Sequence, residues 1–186
     1  MTSLFPTKKI PCRSLLLDAK GTRSKMQNLD ALVMHMTRFY EVCEAFFCWK
    51  FRELADYQCT TFSDTCYVEV YNEPPSNMSL AAWAIELTQL LEKKDVVVRS
   101  FVTTGYTLRR NGSLLPPLAG RNGRPLVFHA AGVGTALLKA FEGEESHFTG
   151  KLFVEKALYD TPMRGKYESL GEFRSLRGSA DFVRLL

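Results

Sequence analysis

The sequence predicts an α+β domain: a mixed, mostly antiparallel sheet with helices packed on one face of it. Three observations carry that prediction. Strand-like apolar runs and amphipathic helical stretches follow one another in the order β-α-ββ-α-β-(β)-α-β. Neighbouring strands are joined both by a hairpin and by helices, which neither an all-β chain nor a parallel α/β chain does. With 186 residues, 46% hydrophobic and 24% charged, the chain fits one domain with a real core.

The elements follow in order. Residues 13–18 (RSLLLD) are a continuous apolar run ending in a carboxylate, which reads as a short central strand. Gly21 and the polar residues after it turn the chain. Residues 29–47 carry apolar side chains at helical spacing over five turns, with Asn28 placed to cap them. Residues 59–71 are rich in Thr, Tyr, Val and Cys and mostly alternate, as a strand or hairpin does, until residues 72–77 (NEPPSN) break the pattern. Met78 to Lys93 form a second amphipathic helix, with Leu80, Trp83, Ala84, Leu87, Leu90 and Leu91 on one face. Residues 96–106 return to strand, 109–118 read as a hairpin turn and irregular loop, and 126–130 as a short strand. After Gly132 and Gly134 comes a third helix, Thr135 to Glu144, then a strand at 151–155. Residues 1–158 thus form the body of the domain. The basic, mixed stretch 159–186 reads as its C-terminal extension, either docked or partly ordered.

The formal charge of +4 suits an anionic ligand such as a nucleotide but is too small to indicate nucleic acid binding. Cys12, Cys43, Cys48, Cys59 and Cys66 are odd in number, contain no CxxC pair and lie mostly among apolar neighbours. They read as buried free thiols in a reducing compartment. The three leucines before Asp18 are too few for a signal peptide or a membrane span, so the expected location is the cytoplasm. His35, His129 and His147 lack metal-ligand spacing, and no nucleophile elbow is present. Gly-Val-Gly (residues 132–134) lacks the third glycine of a dinucleotide loop. The aromatic cluster at 46–51 reads as core or dimer interface, and Arg109 and Arg110 as a solvated hairpin tip.

Two carboxylates remain. Asp18 ends the first strand, and Asp64 sits at the bend of the 59–71 segment. Each fits a turn residue beside a strand. If the two strands are neighbours, the carboxylates converge, and a buried pair of like charges calls for a divalent cation. Oxygen ligands of this kind suit Mg²⁺ or Mn²⁺, which use one or two carboxylates plus substrate phosphates.

LLDAKG (residues 16–21) resembles the first metal-binding segment of class III nucleotidyl cyclases, and FSDT (residues 62–65) the second, at a similar separation. RSFVTTG (99–105), GTALLKAFEGE (134–144) and GKLFVE (150–155) resemble a strand, a helix and the following strand of one bacterial branch, the pyrimidine cyclases of the Pycsar anti-phage systems. The resemblance implies a ferredoxin-like class III cyclase fold and a head-to-tail homodimer with substrate between protomers. It also implies cyclisation of a nucleoside triphosphate with release of pyrophosphate. Asp18, Asp64 and the Ala19 carbonyl would hold two Mn²⁺ or Mg²⁺ ions per site. Backbone N–H groups at Lys20, Gly21 and Thr22 would cradle phosphates, and Arg99 would meet nucleotide or phosphate.

The departures from the pattern are as specific. Purine cyclases place a base-reading Lys where Thr60 stands here, which leaves pyrimidines open; a uracil could stack on Tyr57. Leu138 and Glu142 occupy the places of the Asn and Arg that meet the transition state, so Lys20, Lys139 or Arg99 would have to substitute. The expectation is a uridylate cyclase making 3′,5′-cyclic UMP from UTP as an anti-phage second messenger read by a separate effector protein. A cytidylate cyclase and a catalytically degenerate nucleotide-binding domain are the alternatives.

Overall fold

The computed structural model describes residues 7–50, 57–71, 79–110, 118–119, 125–126, 133–163 and 166–186. Along the chain these form β1 (Thr7–Ala19), α1 (Thr22–Lys25), α2 (Leu29–Lys50), β2 (Tyr57–Phe62), β3 (Thr65–Tyr71), α3 (Ser79–Glu92) and β4 (Val98–Arg110). There follow the two-residue strands β5 (Leu118–Ala119), β6 (Pro125–Leu126) and β7 (Val133–Gly134), then α4 (Thr135–Glu145) and β8 (Leu152–Glu155). The chain continues with α5 (Lys156–Leu158), a π-helical turn (Tyr159–Met163), β9 (Glu172–Arg174) and β10 (Asp181–Arg184).

The main sheet runs β2-β3-β1-β4-β8-β10-β9, with β7 also on β4, while β5 and β6 pair separately. The β4–β8 pair is parallel. The pairs on either side of β1 and β10 are antiparallel, so the sheet is mixed and mostly antiparallel. The first strand is longer than the 13–18 run suggests, because it extends back through Pro11. Proline is tolerated there because the described pairing with β3 ends at Cys12, so among the described residues Pro11 has β4 alone as a neighbour and the missing N–H costs no described ladder bond.

Helices cover both faces of the sheet, not one. Leu15, Leu17, Val68, Val102 and Val154 pack with Phe39, Cys43 and Phe46 of α2 and Leu80, Leu87 and Leu91 of α3. The alternate residues Leu16, Tyr67, Phe101, Phe153 and Phe182 pack on the other face, where Ala140 of α4 joins them. The unbroken Leu15-Leu16-Leu17 run has this cause: a strand buried on both faces has no polar side to alternate with. Phe101 stacks on Phe153 at 5.1 Å and meets Phe182 edge-on at 5.7 Å. Gly143 lets α4 lie directly on that aromatic layer, since a Cβ there would come 2.7 Å from Phe101. Asn28 caps α2 as its position suggests, accepting from the Ala31 N–H at 3.1 Å.

Residues 159–186 contribute two strands. Asp181–Arg184 lies between β8 and β9, Phe182 and Val183 are fully buried, and the Leu186 carbonyl accepts from the Lys151 N–H at 2.8 Å. Arg109 and Arg110 belong to β4, opposite Lys8 and Thr7, not to a hairpin tip. Cys12, Cys43 and Cys66 are buried, whereas Cys48 and Cys59 are exposed. His35 is packed in the interior and His147 is exposed. The 72–77 breaker, residues 111–117, Phe51, His129 and Gly132 lie outside the described residues. No described helix is long and apolar enough to cross a membrane.

Candidate active site

The site forms where β1 stops. Asp18 is the register partner of Thr65 on β3 and of Arg99 on β4, so all three side chains project to the face that α4 covers. Asp64 lies in the two-residue turn that joins β2 to β3, next to Ser63, which adopts the left-handed conformation at φ 51°. The Ala19 N–H donates to the Asp64 carbonyl at 2.8 Å, which ties the two aspartates' backbones together. From the other side, the Tyr40 hydroxyl of α2 donates to the Ser63 carbonyl and holds the same turn.

After Asp18 the chain turns through Gly21, whose φ of 82° is left-handed and favours glycine. The Lys20 N–H is committed to the Val97 carbonyl at 2.8 Å. It is therefore not free for a phosphate, and any backbone cradle narrows to Gly21 and Thr22. Thr22 Oγ1 donates to the Ala19 carbonyl at 3.1 Å, leaving that oxygen one further lone pair. His35 of α2 is buried close to the Lys20 backbone, and its Nε2 has no hydrogen-bond partner among the described residues.

Around the aspartates sits a charge cluster. The Lys20 ammonium pairs with Asp18 and, at 3.3 Å, with Glu144 at the end of α4. Arg99 donates to the Glu144 carboxylate at 2.7 Å, to the Glu144 carbonyl at 3.0 Å and to the Phe148 carbonyl at 3.4 Å. Its Nε is buried with no partner among the described residues. Burial pushes the Asp18 carboxyl above its ordinary range; Lys20 opposes that shift, while the charges of Glu144 and Asp64 add to it. For Glu144 burial also pushes up, but the Arg99 hydrogen bond and the Lys20 charge outweigh it, and the carboxyl ends below its ordinary range.

Asp18, Ala19, Lys20, Gly21, Thr22, Asp64 and Arg99 therefore meet at one end of the sheet. Lys139 does not join them, because it pairs with Glu155 at 2.5 Å and with the Thr104 carbonyl at 3.0 Å. Thr60 lies opposite Tyr67, whose side chain is on the α4 face. Tyr57, three residues earlier on the same strand, lines a cavity on the α2 face. One base cannot touch both side chains within one protomer. Glu144 is the site residue that sequence reasoning did not single out, although it closes the GTALLKAFEGE segment. Glu142 is buried and bound by the Arg177 N–H at 2.5 Å and by Ser179.

Two carboxylates and one main-chain carbonyl form a hard oxygen set. They fit a divalent cation whose other ligands come from a bound phosphate. Among the described residues no cluster of three or more His, Cys, Asp or Glu side chains could hold a metal alone.

A mixed sheet with helices on both faces, and carboxylates at the end of its central strand and in the adjoining hairpin, is the class III cyclase fold. Solved structures of that class superpose over nearly the whole chain. The adenylyl cyclase CyaB from P. aeruginosa is 13% identical with a TM-score of 0.68, covering 97% of this chain and 96% of its own. The guanylate cyclase domain of RhGC from Catenaria anguillulae, solved in complex with GTP, is 12% identical with a TM-score of 0.68, covering 96% of this chain and 98% of its own. The non-canonical dimeric guanylyl cyclase domain of RhoGC from the aquatic fungus Blastocladiella emersonii is 11% identical with a TM-score of 0.67, covering 97% of this chain and 96% of its own. No protein-family model matches the chain, and no curated protein matches it by sequence.

Proposed function

We propose that the chain is a metal-dependent nucleotide cyclase that acts on a pyrimidine nucleoside triphosphate, UTP first, as a head-to-tail homodimer with sites between protomers. The observation that carries this reading is the meeting of Asp18 and Asp64 at the β1 terminus of a cyclase fold. In the reaction the ribose 3′ oxygen forms a bond to the α-phosphorus, the bond from that phosphorus to the bridging oxygen breaks, and pyrophosphate leaves. The hydroxyl proton passes to solvent or to a phosphate oxygen.

Asp18, Asp64 and the Ala19 carbonyl would hold two Mg²⁺ or Mn²⁺ ions. The ions would polarise the attacking hydroxyl and neutralise the leaving pyrophosphate. Gly21 and Thr22 offer backbone N–H groups to the phosphates. Lys20 and Arg99 are the cations of the site, and Glu144 holds both in place until substrate arrives. Thr60 in place of a base-reading Lys supports a pyrimidine. The cyclic product, cyclic UMP, would serve as an anti-phage signal for a separate effector, an inference that rests on the branch resemblance. Cyclic CMP from CTP is the nearest alternative.

One observation favours a degenerate, nucleotide-binding reading: Leu138 is exposed and apolar and Glu142 is occupied structurally, where purine cyclases carry the Asn and Arg of the transition state. Incubation with the four ribonucleoside triphosphates and Mn²⁺ separates the readings. The cyclase reading expects one dominant cyclic pyrimidine nucleotide, absent with Asp64→Ala. Nucleotide binding without turnover selects the degenerate domain, and a purine product refutes the pyrimidine assignment.

A further inference from the structure

A cavity of about 440 Å³ opens between α2 and the outer strands β2 and β3, on the sheet face away from α4. This volume falls within the range of small-molecule sites. Three aromatic rings, those of Tyr40, Phe47 and Tyr57, contribute to its wall, together with the thiols of Cys43, Cys59 and Cys66. The Cys59 and Cys66 sulfurs lie 3.8 Å apart. Hydrogen bonding to a neighbouring sulfur (Cys66 for Cys59, Cys43 for Cys66) together with burial pushes both thiols up, so they stay neutral near pH 7. That leaves Glu44 as the charged group among the lining residues, which include no Lys or Arg.

We propose that this cavity binds a small arylalkyl ammonium ion, an aromatic ring carrying a protonated alkylamine, and that its occupancy is transmitted to the Asp64 turn. The aromatic part is set by ring-lined, polarisable walls that reward stacking and sulfur contacts. The positive charge is set by the Glu44 carboxylate and by ring faces that attract cations. Transmission follows from two wall residues. Tyr40 donates its hydroxyl to the carbonyl of Ser63, the residue before Asp64, and Cys66 lies two residues after Asp64. A guest that shifts the Tyr40 ring moves the anchor of the turn. This second part rests on the proposed metal role of Asp18 and Asp64.

The test uses tryptamine as a charged bicyclic probe and indole as its neutral counterpart, both titrated calorimetrically into the full chain. Tryptamine binds the wild type, and indole binds more weakly. Thr61→Phe fills the mouth of the cavity from an exposed position on the outermost strand, where an aromatic suits the backbone. It weakens tryptamine at least about tenfold. No binding to the wild type, equal binding to Thr61→Phe, or indole as tight as tryptamine overturns the site. For transmission, the Mn²⁺ affinity of the wild type changes when tryptamine is saturating. Tyr40→Phe still binds tryptamine but shows no such change. A change retained in Tyr40→Phe, or none in the wild type, overturns transmission through Ser63. Failure of Mn²⁺ to bind at all refutes the metal role instead, and the tryptamine titration still decides the cavity.

Discussion

Gly143→Ala adds one methyl group at the closest approach of α4 to the sheet. The new Cβ would lie 2.7 and 2.9 Å from the Phe101 ring and 3.0 Å from the tip of Phe182. Neither ring can step aside. Both are fully buried, Phe101 is stacked on Phe153, and Phe182 abuts it edge-on. Alanine gains about 1 kcal/mol over glycine in a helix interior. Overpacking a filled core costs about 1–3 kcal/mol and occasionally more. With contacts this far inside van der Waals distance the cost sits at the upper end, so the net loss is about 1–2 kcal/mol. At about 2–4 °C per kcal/mol for a chain of this size, Tm falls by roughly 2–8 °C. Because α4 carries Glu144, the same displacement loosens its contacts with Arg99 and Lys20. Scanning calorimetry reads the stability, and Phe101→Leu in combination recovers part of it, as a shared packing contact requires. A Gly143→Ala variant more stable than wild type would refute the close-packing account, because helix propensity alone would then be deciding the outcome.

Asp18→Asn raises the Tm of the metal-free protein. Burial lifts the Asp18 carboxyl, so its favourable contribution is present below its ordinary value of about 3.9 and is lost as pH rises through the raised folded value. At neutral pH the charge opposes folding, and the variant removes it together with any stabilisation by Mn²⁺; a lower metal-free Tm would refute this. Burial depresses His35, so its contribution is fully present above about pH 6.5 and lost as pH falls through the lower folded value. Urea midpoints measured between about pH 7 and pH 5 decline in the wild type and flatten in His35→Gln; parallel curves would rule His35 out. Glu142 and Glu144 are both held below the ordinary carboxylate range by hydrogen bonds that outweigh burial. They contribute stability above about pH 4.3 that disappears on further acidification. Glu144→Gln leaves Arg99 and Lys20 without their shared counter-charge, and Lys20 then competes for Asp18. Mn²⁺ affinity measured by calorimetry falls, and an unchanged affinity would show that Glu144 does not restrain Lys20.

Much of this was readable because it is local. The 3.6-residue period marked α2, α3 and α4, and the unbroken Leu15–Leu17 run marked a strand buried on both faces. The expectation of helices on one face only missed what that run also carries, since a strand covered on one face alternates and this one does not. A carboxylate ending one strand and another in a hairpin bend were enough to raise the possibility of their meeting. The opposed faces of Tyr57 and Thr60 were legible too: an odd separation along a strand puts side chains on opposite sides. Asp181–Arg184 was not legible. Four residues between Gly178 and the final leucines carry almost no periodic signal, and they become a strand only because β8 offers them an edge. Glu144 escaped notice for a related reason. Its importance lies in Arg99 and Lys20, which are 45 and 124 residues away in sequence.

The insertion of β10 between β8 and β9 sets an order of events during synthesis. While the nascent chain grows, β8 can settle beside β4, yet its other edge stays bare until residues 181–184 have left the ribosome. A bare edge invites pairing with a neighbouring chain. Translation stalled or cleaved just short of that point would release a species whose helices and aspartates are in place but whose sheet recruits copies of itself, so aggregation, not slow turnover, would be the signature of an incomplete product.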